Sequence, residues 1–448
     1  MKKQGGTAKS VPRVGVVGMA YGGYNLGEEL GPAKLREIMA RLADEPVDAI
    51  QAPRFVLSEG DARAMGADLA RRDVDCILAV ITTFVPDYFV TELINACDRP
   101  VFLWAVEREM QCISVVCGPL ITATLYNLRK PCDLVGADVD DPAAMERLVA
   151  FARAGLMRRL LATLRVGYCG GKPPIMFSME TDEYLLKNTL GVTTVLVPVE
   201  TYYDEVGKVS DADVRAELKK TMACIGSATA RKADQLQSVR YLLAAKRLAK
   251  QHGLDAFSLN CFPHLKSKVC LAVARLNDAG VAAGCEGDLH STILMHLLGR
   301  ITGRPAFNGD WLRMYPGTGE VLFSHCGAGA FGLAARKEDI CLRCSIETKD
   351  GLAVCYATDM PGPVTLVNMM LGPDGLRIAA MRGEGVETDL QYEGTPLKVR
   401  FDMEPQLILD GITRCGAGHH WNGAGLDLVA SLRLLCRWLG VQFAVLTE

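Results

Sequence analysis

The chain has 448 residues, 49% of them hydrophobic, and carries 49 basic against 52 acidic side chains for a formal net charge of −3. That length allows several domains at ~100–200 residues each, with a sizeable buried core. The charge forms no basic block or stripe, which argues against a nucleic-acid partner, and no polybasic amphipathic segment points to a membrane surface.

The opening MKKQGGTAKS is charged with no apolar run behind it, so it does not read as a secretory signal. RVGVVG (13–18) reads as a buried strand. PAKLREIMARL (32–42) reads as a helix, with Leu35, Ile38, Met39 and Leu42 at i, i+3, i+4 and i+7. DCILAVI (75–81) and PVFLWAV (100–106) are further strands, with the helix DYFVTELINAC (87–97) between them. Residues 111–128 are uncharged over a membrane-span length, but Gly118-Pro119 and several polar side chains favour a buried segment, and 118–130 reads as helix. CDLVGAD (132–138) is a candidate strand, and 141–164 a long helix opened by Asp-Asp-Pro. Strands alternating with helices predict a parallel sheet over 1–165.

A second α/β unit is expected over 166–305. Its strands are RVGYCGG, VTTVLVPV (192–199), DAFSLNC (255–261) and a run near 281–285; its helices lie at 210–225, 231–251 and 289–301. From 306 the character changes. EVLFSHC, ICLRCSIE, GLAVCYATD, PVTLVNMML, GLRIAAM, LKVRFDM and QLILDGI are short strand-like runs separated by Gly, Pro or Asp, which favours an antiparallel sheet or barrel over 306–448. A helix (426–439) and the strand VQFAVL finish the chain. The 16 cysteines are scattered and often lie inside apolar runs, which reads as free thiols in a reducing compartment, the cytoplasm by default.

Polar residues in apolar surroundings concentrate in AAGCEGDLHSTILMHLLGRITGRPAFNGDW (282–311). Glu286 and Asp288 fall between a strand and a helix, where α/β proteins bind ligands, and Asp310 follows a Gly-containing turn. Asp288 is also a natural helix N-cap, and a cap or salt bridge competes evenly with metal binding for Glu286. His325 ends a strand-like run, and His419-His420 lie between Gly-rich turns in a predicted loop. Carboxylates with imidazoles suit a divalent ion such as Mn²⁺. Cys285, Cys326 and Cys415 near these sites could suggest a thiolate zinc site, which is disfavoured because CLRC (341–344) is a lone CxxC with no matching second pair. Gly327, Gly329 and Gly332 spell G-x-G-x-x-G, but outside a strand–helix context.

The block SLNCFPHLKSKVCLAVARLNDAGVAAGCEGDLHSTILMHLLGRITGRPAFNGD resembles the central region of the L-fucose isomerase / L-arabinose isomerase superfamily. The tail GAGHHWNGAGLDLVASLRLLCRWLGVQFAVL and the segment RVGYCGGKPPIMFSMETDE are similar to other parts of it. The resemblance implies two doubly wound α/β domains followed by a β-barrel-like domain, with a divalent metal such as Mn²⁺. It also implies a homo-oligomer (trimer or hexamer) with active sites at subunit interfaces. Glu286 and Asp310 match the metal carboxylates and the acid–base pair, His420 the metal imidazole and His419 its neighbour. His325 matches a further metal ligand of arabinose isomerases, whereas Asp310 follows the fucose isomerase pattern. The implied reaction is aldose–ketose isomerisation of a sugar through an enediol. Two rival readings are a non-catalytic sugar-binding protein on the same scaffold and a nicotinamide-dependent oxidoreductase. Lys172, Lys266, Lys268 and Arg313 lie near the matched motifs and could serve an anionic sugar.

Overall fold

Burial follows the sequence pattern closely in the computed structural model, which describes residues 8–22, 29–107, 113–348, 350–389 and 393–448. Residues 1–7 of the opening segment and Gln111-Cys112 of the uncharged stretch lie outside these. Two compact units emerge. One comprises Val11–Arg159 with Ala430–Trp438; the other comprises residues through Ser10, Leu160–Val429 and Leu439–Glu448.

In the first unit, β1 (Arg13–Met19), β2 (Asp48–Gln51), β3 (Cys76–Ile81), β4 (Val101–Ala105) and β5 (Cys132–Gly136) form a parallel sheet in the order β2-β1-β3-β4-β5. Successive side chains alternate between its faces. Val14, Val16, Leu78, Phe102 and Trp104 join one core with Leu35, Ile38 and Phe151. Val17, Ile77, Ala79 and Leu103 join another with Leu69, Leu93 and Ile121. Helices on both faces make the sheet doubly wound. Trp438, from the helix Val429–Leu439 near the end of the chain, packs edge-on against Phe151 with ring centroids 4.8 Å apart.

The helix expected at 118–130 begins earlier, at Ser114, and buries only one face, with Val116 and Tyr126 exposed. Pro119 lies inside it, one turn past the start, and has no N–H to offer the Val115 carbonyl. Among the described residues no helix is long and apolar enough to cross a membrane.

In the second unit, β6 (Arg165–Cys169), β7 (Thr193–Val197), β9 (Ala256–Leu259) and β10 (Ala282–Gly284) form a second parallel sheet, ordered β10-β9-β6-β7. The short β8 (Ser227–Ala228) pairs elsewhere. Next come β11 (Phe307–Tyr315), β12 (Glu320–Ser324), β13 (Cys341–Cys344), β14 (Leu352–Cys355), β15 (Gly362–Gly372), β16 (Gly375–Val386), β17 (Leu397–Arg400), β18 (His420–Ala424) and β19 (Gln442–Val445). The order β15-β18-β11-β12-β17-β16 closes on itself through the β15–β16 hairpin, giving a six-stranded antiparallel barrel. β19 adds in parallel to β16, and β14-β13-β8 make a small separate sheet. The fold is therefore two parallel α/β sheets followed by an antiparallel barrel, as the sequence pattern predicts.

Two local expectations are corrected, and the reading of Gly327, Gly329 and Gly332 as lying outside a strand–helix context holds. QLILDGI is helical, within Pro405–Cys415: Pro405 pre-sets the first turn, and Ile408 and Gly411 recur on one buried face while Leu407 is exposed. Asp310 lies within β11, and His420 opens β18, so neither belongs to a loop. Gly327, Gly329 and Gly332 lead into one 3₁₀ turn, Phe331–Leu333, and then to β13. No helix N-terminus follows them for a dinucleotide phosphate.

Candidate metal centre

The turn between β10 and the helix Leu289–Thr302 holds two carboxylates. Asp288 is the helix N-cap, its Oδ1 accepting from the Ser291 N–H at 2.9 Å. Glu286 has a positive φ of 58°, a left-handed conformation that costs a non-glycine residue roughly 1–2 kcal/mol. Gly287 continues the turn at φ 65°, and a Cβ there would approach the Gly171 carbonyl oxygen to 2.0 Å. The turn thus presses against the strand-end loop after β6, and the strain at Glu286 directs its carboxylate toward the barrel. Strain of this kind concentrates at functional sites.

Three neighbouring barrel strands supply the rest. Asp310 on β11 is the direct cross-strand partner of His420 on β18 and of Ser324 on β12, and His325 follows Ser324. Register alone therefore brings Asp310, His325 and His420 to one end of the barrel. Asn368 holds the entry to β18: its amide accepts from Gly418 N–H at 2.9 Å and donates to the His420 carbonyl at 2.8 Å. Asn422, further along β18, donates to Ser291 Oγ at 3.1 Å and so ties the strand to the helix. Neither asparagine carries a sequence signal beyond its position in a strand.

His420 Nε2 lies 3.5 Å from Glu286 Oε2, 3.8 Å from Asp310 Oδ1 and 3.3 Å from His325 Nε2. His419, half exposed, approaches Glu286 Oε2 at 3.8 Å. Glu286, Asp310, His325, His419 and His420 are thus brought together. Glu286 Oε2 and Asp310 Oδ1 are buried, and among the described residues neither has a hydrogen-bond partner. A buried carboxylate oxygen left unpaired is costly, so this cluster is built for something positive.

The electrostatics agree. Burial opposes ionisation of Glu286, but the imidazoles of His419, His420 and His325 outweigh it and hold the carboxyl well below the usual range. Asp288 is likewise held low against its burial, chiefly by His420. Burial works against charging His420, yet Asp288 and Glu286 raise it to about 9. Asp288 Oδ2 accepts from His420 Nδ1 at 2.7 Å. With Nδ1 committed as donor, Nε2 is the atom left to offer a lone pair to an ion, an arrangement found behind metal-bound histidines. The surplus proton that the carboxylates hold on His420 occupies the place a cation would take. The donor set fits a divalent ion: Glu286, His419 and His420 form one group of close ligand atoms, and Asp310, His325 and His420 another.

The basic residues near these motifs are mostly paired. Lys172 bonds Glu180, and Lys266 lies 3.1 Å from Glu347 and over the Phe262 ring. Lys268 donates to the His264 carbonyl, and Arg313 stacks on Tyr315. Lys172, Glu180 and Tyr168 line a cavity of about 200 Å³ that also touches Gly287 and Leu289, next to the carboxylate turn.

No family model matches the chain. A protein named sulfoquinovose isomerase from Priestia aryabhattai is 24% identical over 382 residues, 83% of this chain and 85% of the relative. Another of that name, from Alkalicoccus urumqiensis, is 22% identical over 376 residues, 81% of this chain and 84% of the relative. A protein named L-arabinose isomerase from Nocardioides sp. (strain ATCC BAA-499 / JS614) is 26% identical over 204 residues, 43% of this chain and 41% of the relative. Over most of its length the chain is thus a distant homologue of proteins named as sugar isomerases. The sulfoquinovose isomerases match it over about four-fifths of its residues and the L-arabinose isomerase over less than half.

Proposed function

We propose that this chain is a metal-dependent aldose–ketose isomerase acting through an enediol. The observation that carries the reading is the pair of buried, unpartnered carboxylate oxygens, Glu286 Oε2 and Asp310 Oδ1, facing one imidazole nitrogen of His420. Glu286, Asp310, His420 and His325 would hold Mn²⁺ or a similar divalent ion. Such an ion, once bound, polarises a sugar carbonyl and stabilises enediolate charge. Glu286 and Asp310 form the acid–base pair, taking the proton from the carbon next to the carbonyl and returning it to the neighbouring carbon, help worth ~10²–10⁴-fold. Asp288 orients His420, and His419, at the exposed edge beside Glu286, is placed to bind a sugar hydroxyl.

The names of the longest-matching relatives support a sulfonated aldose as substrate. Lys172, on the cavity beside Gly287, would exchange Glu180 for the anionic group. Ile175, Phe177 and Tyr184 are exposed on the segment that lines this cavity, which supports a trimer or hexamer in which a neighbouring subunit covers it. Unpaired thiols throughout the described residues support a cytoplasmic setting.

The test is metal analysis of the purified protein with a panel of neutral, phosphorylated and sulfonated aldoses, sulfoquinovose included, read as ketose formation. Glu286→Gln should fold normally and lose turnover. Near-normal turnover in that variant would sink the reading.

A further inference from the structure

His325 faces two clusters at once. Its Nε2 is 3.3 Å from His420 Nε2, but its Nδ1 is 3.2 Å from Cys326 Sγ. Behind Cys326 the sulfurs continue. Its thiol contacts those of Cys270 and Cys285, and Cys285 Sγ lies 3.5 Å from Cys261 Sγ. Ligand atoms of Cys285, His325 and Cys326 all lie within 4.8 Å of one another. The four cysteines come from separate places: just beyond β9, the first turn of the helix Cys270–Asp278, just beyond β10, and just beyond β12. A buried cysteine commonly packs as a small hydrophobe. That role accounts for one thiol at a time, not for two sulfurs beside an imidazole nitrogen with two more sulfurs in contact behind them.

We propose that Cys285, Cys326 and His325 Nδ1 form a second cation site, for a thiophilic divalent ion of the zinc or cadmium type. Thiolates select such ions over the harder ones that carboxylates favour. A tetrahedral site with bonds of ~2.0–2.3 Å brings its donors to roughly 3.5–4 Å from one another, so small shifts suffice here. Binding releases the protons that Cys285, Cys326 and His325 Nδ1 hold between them, and the two thiolates neutralise the divalent charge, as a buried position demands. The Cys326 backbone N–H points at Nδ1 at 3.0 Å, and the ion displaces that hydrogen bond. The two sites would share His325, through Nδ1 here and Nε2 at the carboxylate cluster, and the thiolate site stands whether or not that cluster performs isomerisation.

Cadmium is the probe, added in one equivalent to the full-length protein with excess manganese present to cover the carboxylates. The expected result is an ultraviolet thiolate-to-cadmium charge-transfer band, with sulfur neighbours in X-ray absorption at the cadmium edge. C285S/C326S should abolish the band and weaken cadmium binding at least about tenfold. C341S/C344S, which removes the CxxC pair with its exposed Cys344, should leave both unchanged. A band that survives C285S/C326S, or that vanishes in C341S/C344S, overturns the proposal. Should C285S/C326S fail to fold, the unmodified protein decides: a cadmium shell of oxygen and nitrogen alone overturns it.

Discussion

Asp288 uses its two oxygens on two different structures: one caps the helix Leu289–Thr302, and the other accepts from His420 Nδ1 across 132 residues of sequence. These two tasks can be separated by mutation. Asn caps a helix about as well as Asp, but it is a poor anchor for a donor N–H and carries no charge. Asp288→Asn should therefore keep the cap but lose the buried pairing with His420, lowering the melting temperature of the metal-free protein at pH values below about 9. Manganese affinity, followed by calorimetry, should fall about 10–100-fold. Asp288→Ala should lose the cap as well, costing a further ~1 kcal/mol of stability.

The backbone at Glu286 makes a second prediction. A glycine tolerates φ 58°, so Glu286→Gly should recover up to roughly 1–2 kcal/mol of strain in the metal-free protein. The same change removes a proposed ligand and one member of the proposed acid–base pair. Denaturant titration should show a gain in stability beside complete loss of turnover. A loss of stability would mean that the turn is not strained.

The raised pKa of His420 gives a pH dependence with a definite sign. Below about 9 the metal-free ring carries two protons, and an incoming ion must displace one. Manganese affinity should therefore rise with pH up to about 9, by at most ~tenfold per unit from this group, and then level off. For the metal-free fold the sign is reversed. The raised pKa stabilises the protein fully below the ordinary histidine range, and that contribution is lost as pH rises through about 9. Affinity and metal-free melting measured across this range should run in opposite directions.

Gly287→Ala should damage both fold and site. Its Cβ would meet the Gly171 carbonyl at 2.0 Å in a backbone conformation that alanine resists. A cost of about 1–3 kcal/mol follows. Glu286 shifts with the turn, so kcat/KM should fall although no ligand has been removed. Parallel melting and kinetic measurements check both.

The parts of this architecture with strong periodicity were legible in the amino-acid sequence. Val14, Ile77 and Phe102 lie in apolar runs that only a doubly covered parallel strand explains. The change at 306 marks the barrel because short runs bounded by Gly and Pro suit antiparallel pairing. Asp48–Gln51 and Glu59–Arg71 escaped notice: the strand is a polar edge, and the helix contains Gly60 and Gly66 with little apolar content. At the site, residue types and resemblance together pointed to Glu286, Asp310 and the histidines. The strand pairing of Asp310 with His420 was hidden because Gly309 and Gly423 read as turns, whereas both lie within strands. Nothing local to Asn368 announces its hold on His420, since that contact depends on long-range register.

The pairing of β11 with β18 also sets an order of events in the life of the molecule. Strand β18 begins at residue 420 of 448, and β11 cannot present Asp310 against His420 before that residue exists. During synthesis the earlier α/β layers can condense while the cluster is still missing its imidazole. An ion held by this cluster would thus be captured in full only once residue 420 has been made, and a nascent chain stalled before β18 should bind manganese more weakly than the full-length protein.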